Sequence, residues 1–279
     1  MNAVPVTSDS ASPQPAGVNA RKDFTPRNTD THVLIRGLSK NFGSTTLYND
    51  FDVDFRRGHI TTIFGPNGCG KSTLINMVAG LLPMDTGDVR FDGKVLADTT
   101  IGYVFQNYRD ALFPWMTARA NIEYPLRILR QGKSERAQRV KELVEALEIT
   151  FDLDLHPYNL SGGQQQLVSI MRALAPKPEV LFLDEPFSAL DYEMTLFIRD
   201  RLQRICSQTG ITMIVVSHDL EEAVYLADEV LLLTKPPTRV AAIVPVDAPR
   251  PRDDNTLSEP AFIKTKADCL RIFQQEVRK

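Results

Sequence analysis

A glycine-rich run, GPNGCGKST, occupies residues 65–73. It fits the phosphate-loop pattern G-x-x-x-x-G-K-[ST], with Gly65, Gly70, Lys71 and Ser72 at the fixed places. Glycines let successive backbone N–H groups turn inward, so Pro66, Asn67, Gly68 and Cys69 lie on a loop that can wrap the β- and γ-phosphates of a nucleotide. Lys71 is placed to reach the outer phosphates and Ser72 to hold Mg²⁺. A second cluster closes the apolar run VLFLDEP: Asp184 and Glu185. Alone, an Asp-Glu pair after a strand is as well explained by a helix cap or a solvated turn. Downstream of a phosphate loop, Asp184 suits a second Mg²⁺ contact and Glu185 suits polarising a water for in-line attack on the γ-phosphate. Gln106 and His218 end two further apolar runs.

Such residues need an α/β frame in which strands end in chemistry. His59–Phe64 reads as a buried strand before the loop, and Thr73–Gly80 as an apolar helix after it. HVLIRGLSKNF gives a first strand from His32, with a turn near Asn41–Gly43. Phe51, Val53 and Phe55 alternate with Asp52 and Asp54, the period of a half-buried strand. Asp88–Val95 is predicted to be a hairpin about an Asp-Gly turn, and Ile101–Phe105 a strand. From about Thr117 to Leu147 the pattern becomes helical and charged, with Ser134 the expected N-cap of its second helix. LSGGQQQ opens a helix that Pro176 and Pro178 end. Val180–Pro186 and Ile211–Asp219 read as buried parallel strands, with a helix between them through about Ser207. Asp219 and Glu222 form a capping-box variant on the next helix. Two strands follow, EVLLLT and RVAAIVPV, then a tail with a helix from Glu259 to Val277.

Composition sets bounds. The chain has 279 residues, long for one compact domain and suited to a domain with an inserted lobe. Lys plus Arg number 32 against 35 acidic residues, a net charge of −3, which argues against a nucleic-acid protein. Three cysteines without paired or metal-type spacing fit a reduced compartment. Cys69 reads as a small residue that fits the loop rather than a redox switch. No apolar run is long enough to span a membrane. Residues 1–30 hold four prolines among many polar residues and are expected to be disordered.

The phosphate loop, Gln106, LSGGQ, VLFLDEP, SALD and the strand-end His218 stand in one order. In that order they resemble the ATPase subunit of ABC transporters, over about residues 31–248. The resemblance implies an α/β fold: a phosphate-loop ATPase core with a mixed sheet, an antiparallel β subdomain and a helical subdomain inserted at about 107–175. Residues 249–279 would form a C-terminal tail with its helix. It implies ATP and Mg²⁺ as ligands, held by Lys71, Ser72 and Thr73, with Phe42 stacking on adenine in preference to serving as a core or turn aromatic. Gln106 would contact Mg²⁺ and the attacking water, and Asp184 would contact Mg²⁺. Glu185 would be the base and His218 the γ-phosphate switch. Ser161, Gly162, Gly163 and Gln164 would reach ATP held by a second copy, and Asp191 would organise that dimer interface.

A narrower likeness, in FPWMTARANIEYPL, FSALDYEM and VLLLTKPPTRVAAIVPVDAPRPRD, is to importers of nitrate, sulfonates and taurine. It implies membrane permease subunits, a solute-binding protein, and a peripheral place on the cytoplasmic face of the inner membrane. The chain departs from the family pattern at Leu167 and Met171, where Arg and Ala are frequent. A nucleic-acid or ribosome-associated member of the family usually carries two nucleotide-binding halves, a long coiled-coil insertion or zinc-binding cysteines, whereas this sequence shows one half, no heptad run and no cysteine cluster. Another importer type, for an amino acid or a lipid, would need only a different permease.

Overall fold

The structure is a computed structural model that describes residues 29–188 and 190–278. The expectation of disorder over residues 1–30 lies almost wholly outside the described residues. Two long strands, β1 (Thr31–Phe42) and β2 (Thr45–Arg56), fold back on each other and lead into β3 (Ile60–Phe64) and α1 (Lys71–Val78). β4 (Thr86–Phe91) then pairs with the far side of β1, giving an antiparallel sheet of order β2-β1-β4. β5 (Ile101–Val104) leads into the helical lobe: α2 (Tyr108–Ala111), α3 (Ala118–Ile128), α4 (Lys133–Ala146) and α5 (Gly162–Leu174). The chain returns through β6 (Val180–Asp184), α6 (Tyr192–Thr209), β7 (Thr212–Val216), α7 (Leu220–Leu226), β8 (Glu229–Leu233), β9 (Val240–Pro245) and α8 (Pro260–Arg278).

The main sheet has the order β5-β6-β7-β3-β8-β9, parallel throughout except for the β8–β9 pair. Each of β3, β6, β7 and β8 is buried over its whole length, as a sheet covered on both faces requires. One face carries the lobe and α6 through Val168, Ile170, Leu183, Ile198 and Leu202. The other packs α1 and the small sheet through Val33, Phe55, Leu74, Ile75 and Phe182.

Three expectations change. Residues 88–95 turn at Asp92–Gly93, but only the first arm is a strand: the return arm makes a single bridge, Phe91–Lys94, before a short 3₁₀ turn at Leu96–Asp98. β4 pairs with β1 on one edge only, and its outer edge is not extended because Leu96 leaves the sheet to pack against Gly80. The helix expected to start at Ser134 is capped instead by Gly132, because Glu135 reaches back to accept from the Gly132 N–H at 2.9 Å. The C-terminal helix is docked: Phe262 and Cys269 are buried in a cluster shared with α7, β8 and β9, and Phe273 meets Phe64 with ring centroids 5.1 Å apart. Among the described residues no helix is long and apolar enough to cross a membrane.

Candidate nucleotide site

Four adjacent strands bring the expected residues to one edge of the sheet. Asp184 pairs in register with Val216, and Val216 with Ile63, so β6, β7 and β3 end level. β5 ends beside them, its Val104 paired with Leu183. Gln106, Asp184–Glu185, His218 and the phosphate loop therefore follow one another along the edge in the strand order.

The loop is held from both sides. Gly70, with φ 93°, is the N-cap of α1, and a Cβ there would lie 2.8 Å from Leu47 Cδ2, so no side chain fits. Tyr48 donates its hydroxyl to the Gly70 carbonyl at 2.9 Å, and Thr238 donates to the Cys69 carbonyl at 2.7 Å. Sequence reasoning did not single out these two residues. Thr238 lies 169 residues from its partner and carries no local signal. Pro66 and Cys69 are buried, Asn67 and Gly68 exposed, and Thr73 half-buried. Burial pushes the Cys69 thiol up, away from the reactive thiolate. Lys71 is buried and donates to the carbonyls of Gly65 and Pro66 at 3.0 and 3.2 Å.

Ser72 donates its hydroxyl to Asp184 Oδ1 at 2.7 Å. Burial, with the charge of Glu185 adding to it, holds the Asp184 carboxyl above the usual range. Two hard oxygen donors meeting at a carboxylate that burial disfavours as a bare charge make a fit for Mg²⁺. Tyr103, three residues before Gln106, stands beside Asp184, and its hydroxyl donates to Asn76 at 2.7 Å. Its place near the end of β5 was the available signal for it.

Glu185 is the meeting point of the remaining candidates. Its Oε2 accepts from Gln106 Nε2 at 2.8 Å, and His218 Nδ1 lies 3.4 Å from the same oxygen. The residue has φ 45°, a left-handed conformation uncommon for a side chain of this size, fixed by its N–H donating to Val216 at 3.0 Å. Phe42 is half exposed at the end of β1, with the Lys40 ammonium 5.4 Å from its ring centroid.

The LSGGQ segment stands apart. Ser161 caps α5 and accepts from the Gln164 N–H at 3.3 Å, while Gln164 Oε1 accepts from the Ser161 N–H at 2.9 Å. A Cβ on Gly162 would come 2.9 Å from the Tyr108 hydroxyl, and one on Gly163 2.6 Å from Met194. No hydrogen bond among the described residues joins this segment to the phosphate loop. Two residues further on, buried Gln166 donates to the Pro186 carbonyl at 2.7 Å and ties α5 to the turn after Glu185. Asp191 caps α6, accepting from the Met194 N–H at 2.8 Å. A cavity of about 590 Å³ opens beside Gln106, lined by Leu81, Leu82, Tyr103, Phe105, Ala111 and Asp184 among others.

A family model described as ABC transporter matches residues 48–188. Among curated relatives, the spermidine/putrescine import ATP-binding protein PotA of Haemophilus influenzae is 40% identical over 73% of this chain and 55% of its own length. This chain thus spans about half the length of such relatives. The aliphatic sulfonates import ATP-binding protein SsuB of Bacillus licheniformis is 37% identical over 87% of this chain and 94% of its own. A solved structure of the ATP-binding cassette MJ0796, dimeric and bound to ADP and Pi after hydrolysis, superposes with a TM-score of 0.68 at 29% identity. That superposition covers 77% of this chain and 99% of the other. The chain belongs to the ABC transporter family, as one of its ATP-binding ATPase domains.

Proposed function

We propose that this chain is the ATP-hydrolysing subunit of an importer for a small anion such as nitrate, a sulfonate or taurine. Two copies would sandwich two ATP molecules and dock on membrane permease subunits at the cytoplasmic face of the inner membrane. A solute-binding protein would select the cargo. The observation that carries the reading is the convergence of Gln106 and His218 on one oxygen of Glu185, next to the paired Ser72 and Asp184.

The residues divide the work as follows. Lys71 gives up its loop carbonyls to take the outer phosphates, and the loop N–H groups cradle them. Ser72, Asp184 and Gln106 would hold Mg²⁺, which when bound supplies charge neutralisation at the phosphoryl oxygens. Glu185 accepts the proton of the attacking water, with Gln106 orienting that water and His218 touching the γ-phosphate. Phe42 offers a face to adenine. Ser161, Gly162, Gly163 and Gln164 present the open N-terminus of α5 to the γ-phosphate on the other copy. Asp191, at the start of α6, borders that interface.

Anionic cargo is favoured over polyamine by coverage. The sulfonate-import relative aligns over nearly its full length, the polyamine-import relative over about half. Glu185→Gln tests the site. We expect ATP binding to persist, hydrolysis to fall at least about a hundredfold, and an ATP-bound dimer to accumulate. Turnover at the wild-type rate would rule out Glu185 as the base, and a variant monomeric with ATP would rule out the sandwich. Binding of putrescine rather than an anion by the cognate solute-binding protein would overturn the cargo assignment.

A further inference from the structure

Far from the phosphate loop, three segments bring His32, Asp92 and Glu179 together. His32 begins β1, Asp92 sits in the turn after β4, and Glu179 precedes β6. Each offers one ligand atom, and these atoms all lie within 4.8 Å of one another. His32 is 2% exposed, and its Nε2 is buried with no hydrogen-bond partner. Its Nδ1 is 2.7 Å from Thr212 Oγ1, a hydroxyl that also accepts from the Gly58 N–H at 2.9 Å. With Nδ1 held by Thr212, Nε2 is the ring nitrogen left for a ligand bond, and a second partner of this kind is how metal-binding histidines are oriented.

We propose that His32, Asp92 and Glu179 form a binding site for a divalent transition-metal cation, with zinc(II) the ion that suits the donors best. Imidazole nitrogen and carboxylate oxygen are both zinc donors, and three of them leave a fourth tetrahedral position for water. At ligand bonds of about 2.1 Å, tetrahedral donors stand about 3.4 Å apart, so the donor atoms, now within 4.8 Å of one another, have to close by up to about 1.4 Å. Asp92 lies in an exposed turn and can supply the movement. The carboxylates now meet Arg57 and Lys94. Both cationic side chains are about half exposed, at 47% and 49%, so each can swing into solvent as a cation takes its place. His32, Arg57 and Glu179 line a cavity of about 520 Å³, which gives the ion a path in. A bound ion would clasp the small sheet to the β6–β7 side of the main sheet.

The test uses the full chain, freed of nucleotide and stripped with a chelator. Zinc is followed by calorimetry and cobalt(II) by visible absorption. We expect one ion per chain, cobalt bands of low coordination number, and a zinc-dependent rise in melting temperature. Asp92→Asn and Glu179→Gln should each weaken binding at least tenfold. Asn tolerates the left-handed conformation of Asp92, φ 51°, so that variant should fold normally. Asp184→Asn separates this site from the phosphate loop: binding should survive there. Absence of zinc binding, wild-type affinity in both carboxylate variants, or binding lost only in Asp184→Asn would each overturn the proposal.

Discussion

Trp115 tests whether the surface beside the nucleotide site receives a partner. It is 71% exposed, while Leu112, three residues earlier, is 3% exposed. Its ring leans on Phe113, centroids 5.5 Å apart, and Phe113 leans on Tyr124. A Trp side chain buries up to about 250 Å², so about 180 Å² remains available to a partner and about 70 Å² is committed to the fold. At about 25 cal/mol per Å² these areas correspond to upper bounds of about 4.5 and about 2 kcal/mol. Trp115→Ala should therefore shift the melting temperature of the isolated subunit by only a few degrees, at about 2–4 °C per kcal/mol. Assembly with the permease should weaken by about 2 kcal/mol or more, near thirtyfold. Leu112→Ala is the control: loss of a buried leucine should cost about 2–5 kcal/mol of folding stability. The assay is a quantitative pull-down with permease beside melting curves of both variants. If Trp115→Ala melts as early as Leu112→Ala while assembly is unchanged, Trp115 supports the lobe and the docking argument fails.

Lys71→Ala should abolish ATP binding or greatly weaken it, measured with a fluorescent nucleotide; unchanged affinity would remove the phosphate loop from the site. Asp184→Asn should raise the nucleotide-free melting temperature, by about 0.5–2 kcal/mol of stability. Burial already opposes the Asp184 charge and Asn still accepts from Ser72, so a lower melting temperature refutes that reasoning. The same variant should lose Mg²⁺-dependent hydrolysis. Phe262→Ala should cost about 3–5 kcal/mol in urea unfolding, since Phe262 is 2% exposed; a loss under about 1 kcal/mol would make α8 an accessory.

The loop, its strand and its helix were legible because glycine geometry and apolar runs are local signals. Asp184 and Glu185 were legible because a buried strand ends in them. What stayed hidden depends on distant chain. The Asp92 turn looks like a hairpin until Leu96 is seen to leave the sheet for Gly80. Gly132 caps α4 through Glu135, a bond that the residue types at 132–135 permit but do not impose. The last helix reads as a tail until Phe64 and Phe273 meet across more than two hundred residues. Arg252 is another such case. It is 2% exposed, donates to the carbonyls of Ala248, Val224 and Tyr225, and is lowered by burial to about 10. In the sequence it is one more charge in a Pro-Arg-rich stretch.

The order of strands in the main sheet also sets a timetable for synthesis. β3, which carries the phosphate loop, lies between β7 and β8, and its first residue pairs with Met213. About 150 residues must be added before either neighbour exists, which at about 5–20 residues per second takes roughly 8–30 s. β1, β2 and β4 can close their sheet early, since all their partners lie within residues 31–91. β3, β5 and β6 cannot all do so: until β7 emerges, their apolar edges are open to other chains. A nascent chain halted at residue 188 holds the whole stretch matched by the family model, yet lacks both strands that flank the loop. Such a chain should bind holdase chaperones and no ATP.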